Sequence, residues 1–134
     1  MPVPKKVFLS HASEDRPFVN KLARFLTEQK IPFWYSKRNL VGAQQWHDEI
    51  GKALKTCDWF LVVLSPAAVK SKWVKRELLY ALQIDHYENR IIPVRLRRCD
   101  DEALSWTLAS LQYVDFSKGF NKSCRELIEI WSID

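Results

Sequence analysis

Glycine is scarce in this chain of 134 residues, which contains only Gly42, Gly51 and Gly119. Dinucleotide-binding and phosphate-binding loops need clustered glycines, because the backbone of the loop must approach the phosphates closely. No such cluster occurs in the sequence. The strained Gly-x-Ser-x-Gly turn of nucleophilic hydrolases is also absent. These absences exclude three of the common sites of α/β proteins.

Cysteine and histidine are equally sparse. The cysteines are far apart and fit neither a disulfide framework nor a CxxC pair: Cys57, Cys99, Cys124. The histidines show no HxxxH or HxH spacing: His11, His47, His86. We therefore predict no metal site. Because Cys57 and Cys124 fall within helical apolar patterns, we expect both to be small core residues.

Long apolar runs are missing as well. No run approaches the roughly 18 residues that span a bilayer, and no signal-peptide segment precedes the first predicted strand. We therefore expect a cytoplasmic protein with no membrane partner.

The net charge of +5 is dispersed, and its densest group is Lys70, Lys72, Lys75 and Arg76. No arginine-rich tail or RNA-binding aromatic motif accompanies it, so no nucleic-acid partner is expected. We interpret the basic residues mostly as solvated surface, with some available to meet a small phosphorylated ligand.

Five apolar segments alternate with amphipathic helical patterns. The predicted strands cover residues 5–10, 31–35, 59–64, 90–96 and 112–116. This alternation predicts one α/β domain over residues 1–134, flavodoxin-like, with a five-stranded parallel sheet of order 2-1-3-4-5 and helices on both faces. Pro93 lies inside the fourth strand, although proline usually argues against a central strand. The switch point between strands one and three places the loops 10–15, 36–43 and 65–72 around one crevice.

The helix after the third strand carries a pair of residues at this crevice. The pair Ser65-Pro66 ends the strand, and Ser71 is expected to cap the helix. Trp73 and Glu77 are four residues apart, so their side chains are neighbours at the edge of the apolar stripe. Spacing alone leaves two interpretations open, a half-buried tryptophan beside a solvated carboxylate or a ligand site.

Three motifs carry a resemblance to a known family. Residues 7–15, Val-Phe-Leu-Ser-His-Ala-Ser-Glu-Asp, resemble the first motif of the TIR (Toll/interleukin-1 receptor) domains. Residues 33–46 resemble that family's second strand and following loop, and residues 62–78 are similar to its third motif. The resemblance covers essentially the whole chain, and residues 10–15 look more like bacterial than animal members.

The resemblance implies an enzyme, because many TIR domains cleave the nicotinamide–ribose bond of NAD⁺. It implies Glu77 as the catalytic glutamate and Trp73 as the aromatic residue one turn earlier. NAD⁺ would be the substrate, with no separate cofactor. The product would be ADP-ribose, a cyclic isomer of it, or both, and the role that of a signalling or immune effector.

Five further residues are candidates for binding the substrate: Ser10, His11, Lys37, Arg38 and Trp46. Each of four also has an ordinary structural interpretation. Ser10 could cap a loop, Lys37 and Arg38 could be solvated charges, and Trp46 could pack in the core.

Two other functions remain open. Many TIR domains are adaptors that act through TIR–TIR contacts, which here would involve the loop 36–43. A head-to-tail contact of this kind generates open filaments rather than closed dimers. A nucleoside-2-deoxyribosyltransferase-like enzyme would share the architecture and a carboxylate near a sugar.

Overall fold

Strands and helices alternate along the chain. The computed structural model describes residues 3–35 and 43–131, and for residues 43–46 it describes the backbone alone. The strands are β1 Val7–Ser10, β2 Phe33–Tyr35, β3 Trp59–Leu64, β4 Ile91–Arg95 and β5 Val114–Asp115. The α-helices are α1 Arg16–Glu28, α2 Ala43–Thr56, α3 Pro66–Lys70, α4 Lys72–Leu82 and α5 Phe120–Ile130. Short 3₁₀ turns lie at Ser13–Asp15, Asp85–Tyr87, Asp101–Ala103, Trp106–Ser110 and Phe116–Lys118.

The five strands form one parallel sheet in the order β2-β1-β3-β4-β5, which confirms the predicted topology. Successive strand residues point to opposite faces. Val7 and Leu9 therefore join a core with α1 and α5, whereas Phe8 joins a second core with α2, α3 and α4. Helices cover both faces of the sheet, as predicted.

Pro93 lies in β4, a central strand, because its missing N–H falls where no neighbouring strand needs it. Leu96 donates to the carbonyl of Leu64, so the even-numbered residues of β4 face β3. Pro93 therefore faces the other side, towards β5. The β5 ladder begins only at Val94, and the proline costs no ladder hydrogen bond.

Most element bounds agree with the sequence, with three corrections. The first two strands begin two residues later than predicted, at Val7 and Phe33. The fifth strand is reduced to Val114–Asp115. The loop 65–72 contains α3, which was not predicted. The Ser65 hydroxyl accepts a hydrogen bond from Ala68 N at 3.0 Å, so it caps a helix that begins at the proline after it.

Cys57 and Cys124 are both buried, which confirms their predicted place in the core. Burial raises the pKa of each thiol to about 11. Within the described ranges, no helix is long and apolar enough to cross a membrane.

The helix α4, which carries Trp73 and Glu77, is capped by Ser71 as predicted. The Ser71 hydroxyl accepts a hydrogen bond from Val74 N at 3.2 Å. We expect Ser71→Ala to lower the free energy of unfolding by about 1 kcal/mol, because one N–H of the first turn loses its acceptor. Ser71→Asp should retain the cap and most of the stability. Urea denaturation of the two variants measures this, and equal losses would contradict the capping role.

Candidate active site

The carboxyl ends of β1 and β3 lie side by side at the predicted switch point. Ser10 is the last residue of β1 and pairs in register with Val62 of β3. It lies on the same face of β1 as Phe8, and therefore points towards α4. Ser10 is only 1% exposed. The end of β1 thus presents a hydroxyl to the helix that carries the candidate catalytic pair.

Glu77 is the residue of α4 that meets this hydroxyl. The Ser10 Oγ donates a hydrogen bond to Glu77 Oε1 at 2.7 Å, and Glu77 is 2% exposed. The interpretation of Glu77 as a solvated carboxylate is therefore wrong. Its place at the edge of the apolar stripe turns it towards the end of β1 rather than towards solvent. Burying a charged group is costly unless it is hydrogen-bonded, so this position demands a partner such as Ser10.

Trp73 lies one turn before Glu77 and is half-buried. Its ring centroid is 6.1 Å from that of His47, edge to face, and 5.2 Å from Cζ of Arg76. A guanidinium at this distance from an indole is a cation–π contact. One residue from α2 and one from α4 thus hold the Trp73 ring.

Trp73 and Glu77 line one groove of about 450 Å³ between α2 and α4, which we call the α2–α4 groove. Its lining residues are His47, Ile50, Gly51, Leu54, Lys55, Trp73, Arg76, Glu77 and Tyr80. On each helix these residues recur every three or four positions, which is the spacing of one helix face.

Sequence reasoning missed the residues that surround the pair. His47, Lys55, Arg76 and Tyr80 were not candidates, although all four are exposed around the groove. Arg76 and Tyr80 follow Trp73 at intervals of three and seven residues, so helical spacing could have found them. His47 and Lys55 could not have been found in this way, because the spacing of residues does not determine which face of α2 meets α4.

His11 lies elsewhere. It is buried, and Arg16 Nε donates a hydrogen bond to its Nε2 at 2.9 Å. The ring proton must then be on Nδ1, which lies 3.4 Å from the carbonyl of Leu9. The ring also meets Tyr35 edge to face, at 5.6 Å between centroids. These contacts belong to the start of α1 and to β2, and His11 is not among the residues that line the α2–α4 groove.

The remaining candidates are Lys37, Arg38 and Trp46. Lys37 and Arg38 lie outside the described residues, as does most of the loop 36–43 that was predicted to mediate self-association. Trp46 lies in α2, but its side chain is outside the described part of the chain. Their predicted roles stay predictions.

A second buried carboxylate lies at the same edge of the sheet. Asp15, after the end of β1, is 7% exposed, and its Oδ2 accepts a hydrogen bond from Ser65 Oγ at 2.5 Å. Burial raises the pKa of Asp15, while the Ser65 hydrogen bond and the charge of Arg97 lower it by less. Because Ser65 also caps α3, Asp15 connects the loop after β1 to the helices after β3.

Comparison with protein families gives a match over most of the chain. A family model described as a TIR domain matches residues 7–128. The TIR domain of the Toll-related receptor TRR-2 from Hydra magnipapillata has a similar structure, with a TM-score of 0.75 and 22% sequence identity. That similarity covers 94% of this chain and 97% of the receptor domain.

Two relatives from bacteria are similar in sequence. The NAD(+) hydrolase PdTIR of Paracoccus denitrificans (strain Pd 1222) is 30% identical over 129 residues, which cover 95% of this chain and 42% of that protein. The 2′ cyclic ADP-D-ribose synthase BtTIR of Bacteroides thetaiotaomicron is 29% identical over 103 residues, 75% of this chain and 36% of that protein. This chain therefore spans less than half the length of these two relatives.

The hydrogen bond between Ser10 and Glu77 should contribute measurably to stability. We expect Ser10→Ala to lower the free energy of unfolding by about 2 kcal/mol, because a buried charged acceptor loses its donor. Ser123→Ala is a matched control, since Ser123 is equally buried but donates to a neutral carbonyl, that of Asp115, at 2.8 Å. Its expected loss is about 1 kcal/mol. Chemical denaturation compares the two, and a smaller loss for Ser10→Ala than for Ser123→Ala would contradict the larger contribution expected of the Ser10–Glu77 hydrogen bond.

The raised pKa of Asp15 predicts a pH dependence. An aspartate has a pKa of about 3.9 in the unfolded chain, so the folded state holds the proton to higher pH. Its contribution to stability is present below that value and is lost as the pH rises through the folded-state pKa. Asp15→Asn, which keeps an acceptor for Ser65 but does not titrate, should therefore gain stability relative to the original chain as the pH rises from about 3.9.

Unfolding curves of the two proteins, measured between acid and neutral pH, give this difference directly. A difference that stays flat or falls with rising pH would show that burial does not dominate the pKa of Asp15.

Proposed function

The chain belongs to the TIR domain family, and on that premise we propose that it cleaves the bond between nicotinamide and ribose in NAD⁺. The products are nicotinamide and ADP-ribose, a cyclic ADP-ribose isomer, or both. The names of two relatives, an NAD(+) hydrolase and a 2′ cyclic ADP-D-ribose synthase, support this reaction class.

One observation carries the proposal: the nearly buried Glu77 carboxylate, held by Ser10 in the same groove as Trp73. Most glycosidases need two carboxylates, because the leaving oxygen must be protonated by an acid. Nicotinamide needs no acid as a leaving group. Its ring is a pyridinium cation while it is bonded to the ribose, and it departs as a neutral molecule. A site with one fixed anion and one aromatic side chain is therefore sufficient for this reaction.

The reaction begins with cleavage of the C1′–N bond, whose electron pair stays on the nicotinamide nitrogen. The ribose is left with oxocarbenium character at C1′. Glu77 stabilises this positive charge, and it does so most effectively from a site with little water. Attack of water at C1′ gives ADP-ribose and releases one proton. In this scheme Ser10 is a positioning residue, because its hydroxyl fixes one oxygen of the carboxylate.

We assign to Trp73 the selection between the cyclic and the linear product. A base stacked on its ring would stay close to C1′, and an adenine or ribose atom could then attack in place of water. That intramolecular attack yields a cyclic isomer, whereas access of water yields linear ADP-ribose. The contacts of Trp73 with His47 and Arg76 support this role, because they hold the indole at the groove.

The proposal extends to the biological setting predicted from the sequence. Residues 1–134 would form a single TIR domain that works in the cytoplasm as a signalling or immune effector. Because the chain spans less than half of each relative, the activity of a whole protein that contains it is part of the proposal. Self-association through the loop 36–43 would make the activity per molecule rise with protein concentration. A non-catalytic interaction module is the alternative function.

The decisive experiment is to incubate the protein with NAD⁺ over a range of concentrations and to resolve the products by chromatography. We expect Glu77→Gln to lower the rate of nicotinamide release by about 10²–10³-fold or more, since the anion that stabilises the transition state is lost. Trp73→Ala should reduce the cyclic product more than hydrolysis.

Glu129→Gln is the control for a loss of negative charge, because Glu129 is exposed on α5, on the other face of the sheet. Nicotinamide release that survives Glu77→Gln would refute the catalytic assignment. A protein that releases no nicotinamide at any concentration, but associates in light scattering, would favour the interaction module.

A further inference from the structure

We propose that the α2–α4 groove binds the diphosphate of the dinucleotide, and that Gly51 is the residue that keeps the groove open for it. This inference rests on the proposed function, since it names the part of NAD⁺ that lies beyond the scissile bond. It assigns roles to three residues outside the catalytic pair, which are Gly51, Lys55 and Arg76.

Gly51 lies in the interior of α2, where glycine costs up to about 1 kcal/mol relative to alanine. Neither packing nor backbone conformation requires it. A Cβ atom built on Gly51 would meet no other atom within 4 Å, and its φ angle is not positive. Gly51 does line the α2–α4 groove. The missing side chain therefore leaves free space in the groove, at a cost in helix stability that the fold does not explain.

The charges around the groove favour an anion. Lys55 and Arg76 are exposed cations of its lining, and Glu77 is the one carboxylate among the described residues that line it. Glu77 is buried against Ser10, whereas the two cations are exposed at the surface of the groove. A diphosphate carries two negative charges at neutral pH and matches this pair.

The positions along the helices fit the same ligand. Lys55 lies four residues after Gly51, which is about 6 Å along α2, and Arg76 is adjacent to Glu77 in α4. Lys55 on α2 and Arg76 on α4 line the same groove as the Glu77 carboxylate. In NAD⁺ the diphosphate is separated from C1′ by one sugar ring. With C1′ at Glu77, we expect the diphosphate to extend along the groove towards Lys55 and Arg76. The groove volume of about 450 Å³ is within the usual range for small ligands.

Two sets of variants test the inference. Gly51→Leu fills the groove at this position, and Gly51→Ala adds one methyl group to the space that the ligand is proposed to occupy. Thr56→Leu is the control for a leucine on α2, because Thr56 is exposed and does not line the groove. Lys55→Gln and Arg76→Gln remove the proposed diphosphate contacts. Their charge controls are Lys52→Gln and Lys75→Gln, which are exposed lysines on the same helices, outside the groove.

The first measurement is binding of ADP-ribose by calorimetry, which requires no turnover. We expect Gly51→Leu to weaken binding by more than about tenfold, since a displaced ligand loses several contacts at once. Lys55→Gln and Arg76→Gln should each weaken it by about three- to tenfold, because exposed charges are screened by solvent. Gly51→Ala should raise Tm by about 4 °C, because alanine is the better helix former, but it should weaken binding by about two- to threefold, because its methyl group occupies part of the space proposed for the ligand. The three controls should bind like the original chain.

The second measurement is the kinetics of NAD⁺ cleavage. Gly51→Leu and Lys55→Gln should raise KM with little change in kcat, and both should discriminate less against nicotinamide riboside, which has no diphosphate. Arg76→Gln should raise KM as well, and it should also lower the share of cyclic product, because Arg76 contacts the Trp73 ring. If the original chain binds ADP-ribose but cleaves no NAD⁺, the proposed function fails and the binding series still decides the subsite. If NAD⁺ is cleaved but Gly51→Leu, Lys55→Gln and Arg76→Gln behave like their controls, the inference is overturned. Failure of the original chain to bind ADP-ribose at millimolar concentration also overturns it.

Discussion

The hydrogen bond from Ser10 to Glu77 is the interaction on which the site depends. A carboxylate that is 98% removed from solvent is tolerated only where its oxygens find donors, so its position is fixed by the donor as much as by its own helix. The donor is the last residue of a central strand. Because Ser10 pairs in register with Val62 of β3 and is buried, its hydroxyl has little freedom to move. The Glu77 carboxylate is therefore held by the sheet rather than by a loop, which is the preorganisation that the proposed reaction requires.

A second buried carboxylate fixes the other end of the same assembly. Asp15 accepts a hydrogen bond from Ser65, whose hydroxyl also caps α3, and α3 leads directly into α4. Side chains from β1 and its following loop thus hold the helices after β3 at two places. The Asp15–Ser65 contact holds the start of α3, and the Ser10–Glu77 contact holds α4 against the end of β1. The two carboxylates differ in their place, since Glu77 lines the α2–α4 groove and Asp15 does not.

The sequence determined the architecture more fully than the site. Alternating apolar segments were enough for the strand order, whereas the catalytic role of Glu77, which the motif resemblance implies, stays a prediction. The burial of Glu77 could not be predicted, because helical periodicity places a residue on a face but does not say what that face meets. The helix α3 was missed because Ser65-Pro66 was interpreted as a strand end, although the same pair is also a good helix start. Pro93 argued against a central strand, because proline lacks the N–H that a neighbouring strand needs. The strand pairing resolves this, since Pro93 faces β5 at a point before the β4–β5 ladder begins.

Positions that violate local rules are informative when they face the same space. A glycine inside α2 and a carboxylate buried beneath α4 both cost stability, and both line the α2–α4 groove. Elsewhere the strands and helices bury apolar residues at the spacing that their geometry demands. A chain selected for stability alone would place alanine at Gly51 and an apolar residue at Glu77, because an unneeded buried charge is rarely stabilising. Gly51 and Glu77 lie on the two walls of one groove, α2 on one side and α4 on the other, and the ligand that we propose would account for both positions by contacting both walls.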